Sequence, residues 1–279
     1  MRGLKFLQKR MPERRIDVAE LRLSEMRMSA ETRLEEIREI QLRDEWGTQV
    51  ALGELFTIEP RDDDVVCFEG DLTAFDGLGS DWAEGTLEIR GNAGDRTGQR
   101  MSGGRIIVAG NTGDGTGVEM SGGSIQIKEN AKDGSGGAPP GAHRGMSGGE
   151  IVIAGNAGRR TGACMRRGLI AVGGTLGEEA LHAALAGTVV ALGTVGHSAG
   201  RWNKRGSLVA FGEIEVPRTY PFACETRFTM VRVVLRHLRT RYEFPVAEEQ
   251  MAARFARYCG DMAEGGRGEI LKAVAERSV

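Results

Sequence analysis

Aromatic side chains occupy only 5% of the 279 positions, so any core must be built from aliphatic residues and methionine. Cysteine is scarce too. Cys67, Cys164, Cys224 and Cys259 are widely spaced with no CxxC pair, which fits free thiols in a reducing cytoplasm better than a disulfide framework or a zinc site. No uncharged run approaches the roughly 18 residues of a membrane-spanning helix. The first eleven residues carry Arg2, Lys5, Lys9 and Arg10 without a continuous apolar stretch, so they do not read as a signal peptide. A formal charge of −2 argues against nucleic acid as a main partner, because phosphate binding needs a basic excess. Lysine is rare beside arginine, 6 against 31.

Glycine is the residue in excess. It fills 42 positions, about twice the share expected from an average usage of roughly 7%. No collagen period is present, so the excess points to turns that need positive φ or close backbone approach. The glycines recur with a period. Gly91-Asn92-Ala93-Gly94-Asp95-Arg96-Thr97-Gly98 leads through Met101-Ser102-Gly103-Gly104 to Ile106-Ile107-Val108, and the same pattern restarts at Gly110. Further copies begin at Glu129, Gly155, Gly174 and Gly193, a truncated one begins at Gly212, and an earlier one ends at Gly85-Thr86-Leu87-Glu88-Ile89. The spacing is 19 residues except between Glu129 and Gly155, where it is 26; the extra residues lie in Lys132–Arg144 and must leave the array as a loop.

A period near twenty residues implies a solenoid. The fold class expected is mainly β: a right-handed single-stranded β-helix of about seven 19-residue coils, with an N-terminal α/β lead-in and a helical C-terminal cap. Its columns have physical readings. The fourteenth position is glycine in seven copies, from Gly85 to Gly206, which marks a corner. The pairs Leu87/Ile89, Ile106/Val108, Ile125/Ile127, Ile151/Ile153, Ile170/Val172, Val189/Ala191 and Leu208/Ala210 should point inward. Met101, Met120, Met146 and Met165 should fill interior space. Asn92, Asn111, Asn130 and Asn156 suggest an asparagine ladder. At roughly 4.8 Å per coil, seven coils span on the order of 34 Å.

Three regions are expected: an arm and lead-in strands over 1–64, the array over 65–216 and a helical cap over 217–279. Residues 1–33 read as a loosely held arm. Thr32–Glu39 reads as a short helix with Thr32 and Glu35 as a capping box, Ile37–Leu42 and Val50–Ile58 as strands, and Val65–Phe68 as the entry to the array. Phe228, Val231, Val234, Leu235 and Leu238 fall on one helical face, Pro245 breaks that helix, and Val246–Tyr258 reads as a second one.

Residues that resemble chemistry are few. Gly145-Met146-Ser147-Gly148-Gly149 and Gly196-His197-Ser198-Ala199-Gly200 match the G-x-S-x-G elbow of hydrolases, but both lie in repeat phase with no following helix, so repeat geometry is the better account. No complete dinucleotide or P-loop motif occurs, His143, His182, His197 and His237 share no metal-ligand spacing, and Asp62-Asp63-Asp64 reads as a solvated turn. No catalytic or metal-ligating residue is expected. The best polar candidate is basic: Arg159, Arg160, Arg166 and Arg167 on one coil and Arg201, Lys204 and Arg205 two coils on, with 166/167 and 204/205 at equivalent positions. A solvated face is the bland account. The functional one is a dock for an anionic partner surface or a carboxylate-rich ligand.

The G-x-x-G-x-x-x-G pattern resembles the C-terminal domain of the glutamate synthase large subunit. It also resembles the C-type subunit of formylmethanofuran dehydrogenase and its bacterial relative, the C-type subunit of the formyltransferase/hydrolase complex. Three flanks favour the formyl-carrier group: Leu34–Leu42 with Leu52-Gly53-Glu54-Leu55-Phe56 is similar to its lead-in, Pro140-Gly141 through Gly149 to its mid-array insertion, and Tyr258–Ala263 with Gly268-Glu269-Ile270-Leu271 to its closing segment. The resemblance covers residue 34 to the end. It departs from the pattern at Asp71–Trp82 and at Leu181 and Ala184, where glycine and methionine otherwise recur. It implies a non-catalytic subunit that joins a formyltransferase subunit to an amidohydrolase-like hydrolase subunit, beside a B-type subunit. Such a complex moves a formyl group from formyl-tetrahydromethanopterin to a methanofuran-type carrier and releases formate in one-carbon oxidation. No cofactor is expected on this chain alone; a polyglutamate arm on the carrier would suit the basic coils. The alternatives are the C-type subunit of a molybdenum or tungsten formylmethanofuran dehydrogenase and a glutamate-synthase-type scaffold.

Overall fold

A computed structural model describes residues 3–21 and 34–274. Strands β6 (Val65–Glu69), β8 (Thr86–Arg90), β9 (Arg105–Val108), β10 (Ser124–Ile127), β11 (Glu150–Ile153), β12 (Leu169–Val172), β13 (Thr188–Ala191) and β14 (Ser207–Ala210) pair in that order, each parallel to the next. They form the centre of a 13-stranded sheet. A second ladder of parallel bridges runs Leu72, Ala93, Thr112, Ala131, Ala157, Leu176, Val195. The chain is therefore mainly β and β-helix-like: each repeat stacks in register on the next, and the insertion between β10 and β11 leaves the pairing undisturbed.

Alternation along each strand builds the interior. Leu87 and Ile89, Ile106 and Val108, Ile125 and Ile127, Ile151 and Ile153, and Ile170 and Val172 are fully or almost fully buried in one continuous core. Met101, Met120, Met146 and Met165 lie beside them at 0% exposure. Positive φ and the preceding repeat's backbone explain the glycine column: a Cβ on Gly104, Gly123, Gly149 or Gly168 would stand 2.6–2.9 Å from a carbonyl oxygen there, and the methionine ends also close over it. A Cβ on Gly123, Gly149 or Gly168 would stand 2.5 Å from the methyl of Met101, Met120 or Met146, and one on Gly187 closer still to that of Met165. Six glycines of the column have positive φ, from +69° at Gly104 to +111° at Gly187; Gly206 does not. At Gly206 an added Cβ would meet Asn203 Oδ1 at 2.8 Å and, where the other repeats present a methionine methyl, Leu181 Cδ2 at 3.3 Å. Leu181 therefore fills the space that the missing methionine at Ala184 vacates, and it does so at a φ of 56°, in a corner where other repeats place glycine.

The aromatic residues sit at the two ends. Phe6, Phe56, Phe68 and Phe75 cluster at the N-terminal end, with Phe6 stacked on Phe68 at 4.4 Å. This corrects the expectation of a loosely held arm for residues 3–21, the rest of that arm lying outside the described residues: β1 (Leu4–Gln8) lies inside the sheet, parallel to β6 and antiparallel to β5 (Phe56–Pro60). A small second sheet joins β2 (Ile16–Asp17), β3 (Gln41–Asp44), β4 (Gln49–Ala51) and β7 (Phe75–Asp76). The helix expected near residue 34 is α1 (Leu34–Arg38); Thr32, its proposed cap, lies outside the described residues. Ile37 belongs to that helix rather than to a strand. Val50–Ile58 is not one strand either, because Leu52 and Leu55 are both buried one turn apart in α2 (Leu52–Leu55).

The C-terminal segment also differs from the expected helical cap. Helix α3 (Thr229–Tyr242) lies on the outer face of the sheet, where Val231, Leu235 and Leu238 cover Val152, Ala171, Val190 and Val209. It ends at Glu243 in the left-handed region, just before Pro245. Val246–Tyr258 is not a second helix: α4 spans only Glu248–Ala252, and Arg254–Gly260 is strand β16. Strand β17 (Gly268–Val274) pairs in parallel with β14, and β16 and β15 (Phe222–Thr226) continue antiparallel beyond it. The last repeat is thus closed by strands, which satisfy its backbone directly. Tyr220 seals this end: its hydroxyl donates to the Gly200 carbonyl at 2.7 Å, and Asn203 Nδ2 donates to it at 3.3 Å.

The shared space at Leu181 and Ala184 can be tested by mutation. Leu181→Gly relieves a left-handed leucine but opens a cavity, for a net loss of about 2–3 kcal/mol in urea unfolding. Adding Ala184→Met restores the pattern of the other repeats and should return stability to within about 1 kcal/mol; no recovery would show that the two sites do not share one space. The Tyr220 hydroxyl is pushed up to about 12, chiefly by burial. Because folding raises this pKa, its contribution is complete below the ionisation of an unfolded tyrosine, at about 10. It is lost as pH rises toward about 12. Tyr220→Phe should flatten that alkaline fall in stability while costing about 1 kcal/mol at neutral pH.

Candidate functional site

The seven basic residues singled out in the sequence do not form one site. Arg159 and Arg160 are paired with Glu178 and Glu179, at 3.3 and 3.6 Å. Lys204 faces Glu264 at 3.7 Å, and Arg201 lies over the Trp202 ring at 4.8 Å. The remaining three, Arg166, Arg167 and Arg205, line a shallow groove of about 600 Å³ together with Arg144, Ser147 and Leu185. Arg144 was not among the sequence candidates. It stands at the foot of the insertion loop, outside the repeat columns, so no phase relation placed it. All four guanidinium-bearing residues are exposed, and among the described residues no carboxylate pairs with any of them.

The backbone explains why three of them converge. Arg166 and Arg167 precede β12, and Arg205 precedes β14 two strands on, with Leu185 and Ala186 on the strand connection between. Strand spacing of roughly 4.8 Å puts the two ends of this group about 10 Å apart. Four arginines at that spacing, without counterions of their own, make a local positive field that suits a multivalent carboxylate ligand or an acidic surface.

An acidic column lies elsewhere. Asp76, Asp95, Asp114 and Asp133 stand at successive equivalent positions, and each Oδ1 accepts the backbone N–H one repeat on, the last from Arg159. Arg15 bridges Asp76 and Asp95. The column borders a cleft of about 740 Å³ roofed by Ala138–Ala142 of the insertion. Its signal was in the sequence as aspartate at the fifth repeat position. The asparagine ladder has the same form: Oδ1 of Asn92, Asn111, Asn130 and Asn156 accepts the next repeat's N–H at 2.7–3.0 Å.

The serines of the two G-x-S-x-G matches stand in turns that lead to strands: Ser147 precedes β11 and Ser198 lies before β14. A nucleophile elbow instead joins a strand to a helix. Among the histidines, His197 meets Glu215 at 3.1 Å and His237 meets Glu150 at 2.8 Å. His182 packs on Trp202 and is held below the ordinary imidazole range, mainly by burial and then by Arg160. Asp63 of the acidic triplet pairs with Arg61 at 2.7 Å, which lowers its pKa.

Fold and site together define a mainly β, β-helix-like protein with one face of uncompensated arginines. No family model and no curated protein matches the chain. Among solved structures it is similar to a chain of the formyltransferase/hydrolase complex (FhcABCD) of Methylorubrum extorquens, solved by X-ray crystallography in complex with methylofuran. The TM-score is 0.83 and the identity 28%, over 97% of this chain and 100% of that one.

The groove gives a direct test. Binding of a short polyglutamate peptide to the isolated chain should weaken about tenfold in Arg166→Glu/Arg205→Glu. Arg159→Gln/Arg160→Gln, which removes cations already paired at the surface, should leave it within about twofold. Equal losses in both variants, read by calorimetry at fixed salt, would reduce the groove to nonspecific charge.

Proposed function

We propose that this chain is the C-type subunit of a formyltransferase/hydrolase complex, a non-catalytic linker that holds a formyltransferase subunit and an amidohydrolase-like hydrolase subunit at a fixed separation, beside a B-type subunit. The observation that carries this reading is the end-to-end match to a chain of the FhcABCD complex, with both chains covered almost completely. A match of one domain would say less. Here 97% of this chain is covered, so the match is not confined to the array.

In this reading the array winds as a right-handed single-stranded β-helix of about seven coils, the regions 1–64, 65–216 and 217–279 act as lead-in, shaft and closure, and the complex works in the cytoplasm. The complex passes a formyl group from formyl-tetrahydromethanopterin to a methanofuran-type carrier and releases it as formate. The relative was solved with methylofuran, which supports a carrier of that kind. The chain's own part is mechanical and electrostatic. In-register backbone pairing makes the shaft stiff, and Arg144, Arg166, Arg167 and Arg205 offer a surface to an acidic partner or to a carboxylate-rich arm of the carrier; Arg159, Arg160 and Lys204 are instead paired with carboxylates, and Arg201 lies over the Trp202 ring.

Native purification tests the reading. The chain, tagged in its own cells, should recover a transferase and a hydrolase in fixed ratio by native mass spectrometry. Recovery of a molybdenum or tungsten subunit with iron–sulfur partners would instead assign it to the redox enzyme, and a flavin-dependent synthase to the glutamate-synthase class.

A further inference from the structure

Formal charge is unevenly divided along the chain. Residues 1–140 hold 18 Lys and Arg against 26 Asp and Glu, whereas residues 141–279 hold 19 against 13, giving −8 and +6. The boundary falls inside the insertion. Because the sheet keeps β6 to β14 in sequence order, the division becomes spatial, with an acidic half toward β5 and a basic half toward β15.

Helix α3 lies in the basic half and concentrates its charge. Its fourteen residues include Arg232, Arg236, Arg239 and Arg241 and no Asp or Glu. Two of these arginines are engaged: Arg239 with Glu248, and Arg241 with Glu150 at 3.9 Å. Arg232 and Arg236, one turn apart on the outer face, have no carboxylate partner among the described residues. Between them stands Val233, which is 62% exposed, and Met230 beside it is 42% exposed. Arg232, Val233, Arg236, His237 and Thr240 line a groove of about 610 Å³ along the helix. The inner face cannot rotate outward to cover these residues, since Val231, Leu235 and Leu238 are at or below 1% exposure against the sheet. The helix is also pinned by polar contacts: His237 and Tyr242 both bond Glu150 of β11, and Gln126 Nε2 donates to the Tyr242 carbonyl at 2.9 Å.

We infer that the outer face of α3 is a second docking surface, for an acidic protein surface that presents carboxylates to Arg232 and Arg236 around an apolar socket for Val233 and Met230. Methionine and arginine are both enriched at protein interfaces, and an exposed apolar pair beside unpaired guanidiniums has that composition. Charge complementarity selects an acidic occupant, and two free guanidiniums on a helix of about 21 Å are too few for a phosphate backbone. This surface is separate from the groove at Arg144, Arg166, Arg167 and Arg205, and it rests on the proposed function only for the name of its occupant, a subunit of the same complex.

The test uses the full-length chain in its native assembly. Phenylglyoxal footprinting with mass spectrometry should find Arg232 and Arg236 shielded in the assembly and reactive in the isolated chain. Arg232→Glu/Arg236→Glu should cut recovery of one subunit about tenfold with the melting temperature unchanged, and Val233→Asp should do the same. If transferase and hydrolase co-purify while α3 stays reactive and both variants assemble normally, the function stands and this inference fails. If the chain comes in some other assembly, the function fails, and the inference survives only where α3 is shielded there. A chain recovered alone, or arginine-dependent binding of the chain to phosphatidylglycerol vesicles, overturns the protein dock.

Discussion

Everything in this structure depends on each repeat returning to the same place nineteen residues later. In-register parallel pairing permits no drift, because a slip of one residue would turn every inward side chain to the outside. The interior is correspondingly narrow, and its volume is shared between neighbours. The methyl of each methionine reaches over the glycine of the following repeat, so the two residues are one fitting expressed in two positions. Leu181 and Ala184 show that the constraint acts on space and not on residue identity: the leucine accepts a left-handed backbone because the shortened neighbour leaves room for its side chain. Where Asn203 replaces methionine, its side chain instead bonds both the N–H and the carbonyl of Gly206, and that glycine no longer needs positive φ.

A stack of this kind has open backbone at each end, and the two ends solve the problem in related ways. Each changes from parallel to antiparallel pairing, through β1 and β5 at one end and through β17, β16 and β15 at the other. Each also takes up the aromatic residues that the shaft excludes. No Phe, Tyr or Trp lies between Trp82 and Trp202, since a ring does not fit a layer shared by two isoleucines and a methionine. The rings are useful where the cross-section widens, as in the Phe6, Phe56, Phe68 and Phe75 cluster.

Legibility in the sequence follows the same division. The shaft repeats, so its inward pairs, methionine column, asparagine ladder and insertion could all be read from phase. The ends do not repeat, and their strands pair over long distances: nothing near Leu4–Gln8 announces that Val65–Glu69 will be its neighbour. Local patterns there misled, as when Val246–Tyr258 looked helical while its second half was committed to pairing with β17. Other signals lie in the outward positions and in the repeat period itself. The outward strand positions change from Glu88, Ile107 and Gln126 to Val152, Ala171, Val190 and Val209, which marks where α3 covers the sheet. The pairs Arg159–Glu178 and Arg160–Glu179 are nineteen residues apart, so period alone could have removed them from the free basic set. Glycine in turn under-reports the corners, because Arg100, Glu119, Cys164, Ala183 and Trp202 turn at positive φ without it.

The linker role proposed above sets a different requirement from an enzyme's: no single side chain would carry the function, and length, stiffness and the bearing of the surfaces would have to be kept. Adding or removing one repeat would move everything beyond it by roughly 4.8 Å and would rotate it by the local twist. That displacement exceeds what a packed interface tolerates, whereas most substitutions on the exposed turns move nothing. Divergence to 28% identity with a TM-score of 0.83 over both full chains is the pattern such a requirement produces. The insertion between β10 and β11 fits it as well. It adds residues without adding a strand to the stack, so the chain gains a surface at Arg144 and Ala138–Ala142 while the separation of its two ends is unchanged.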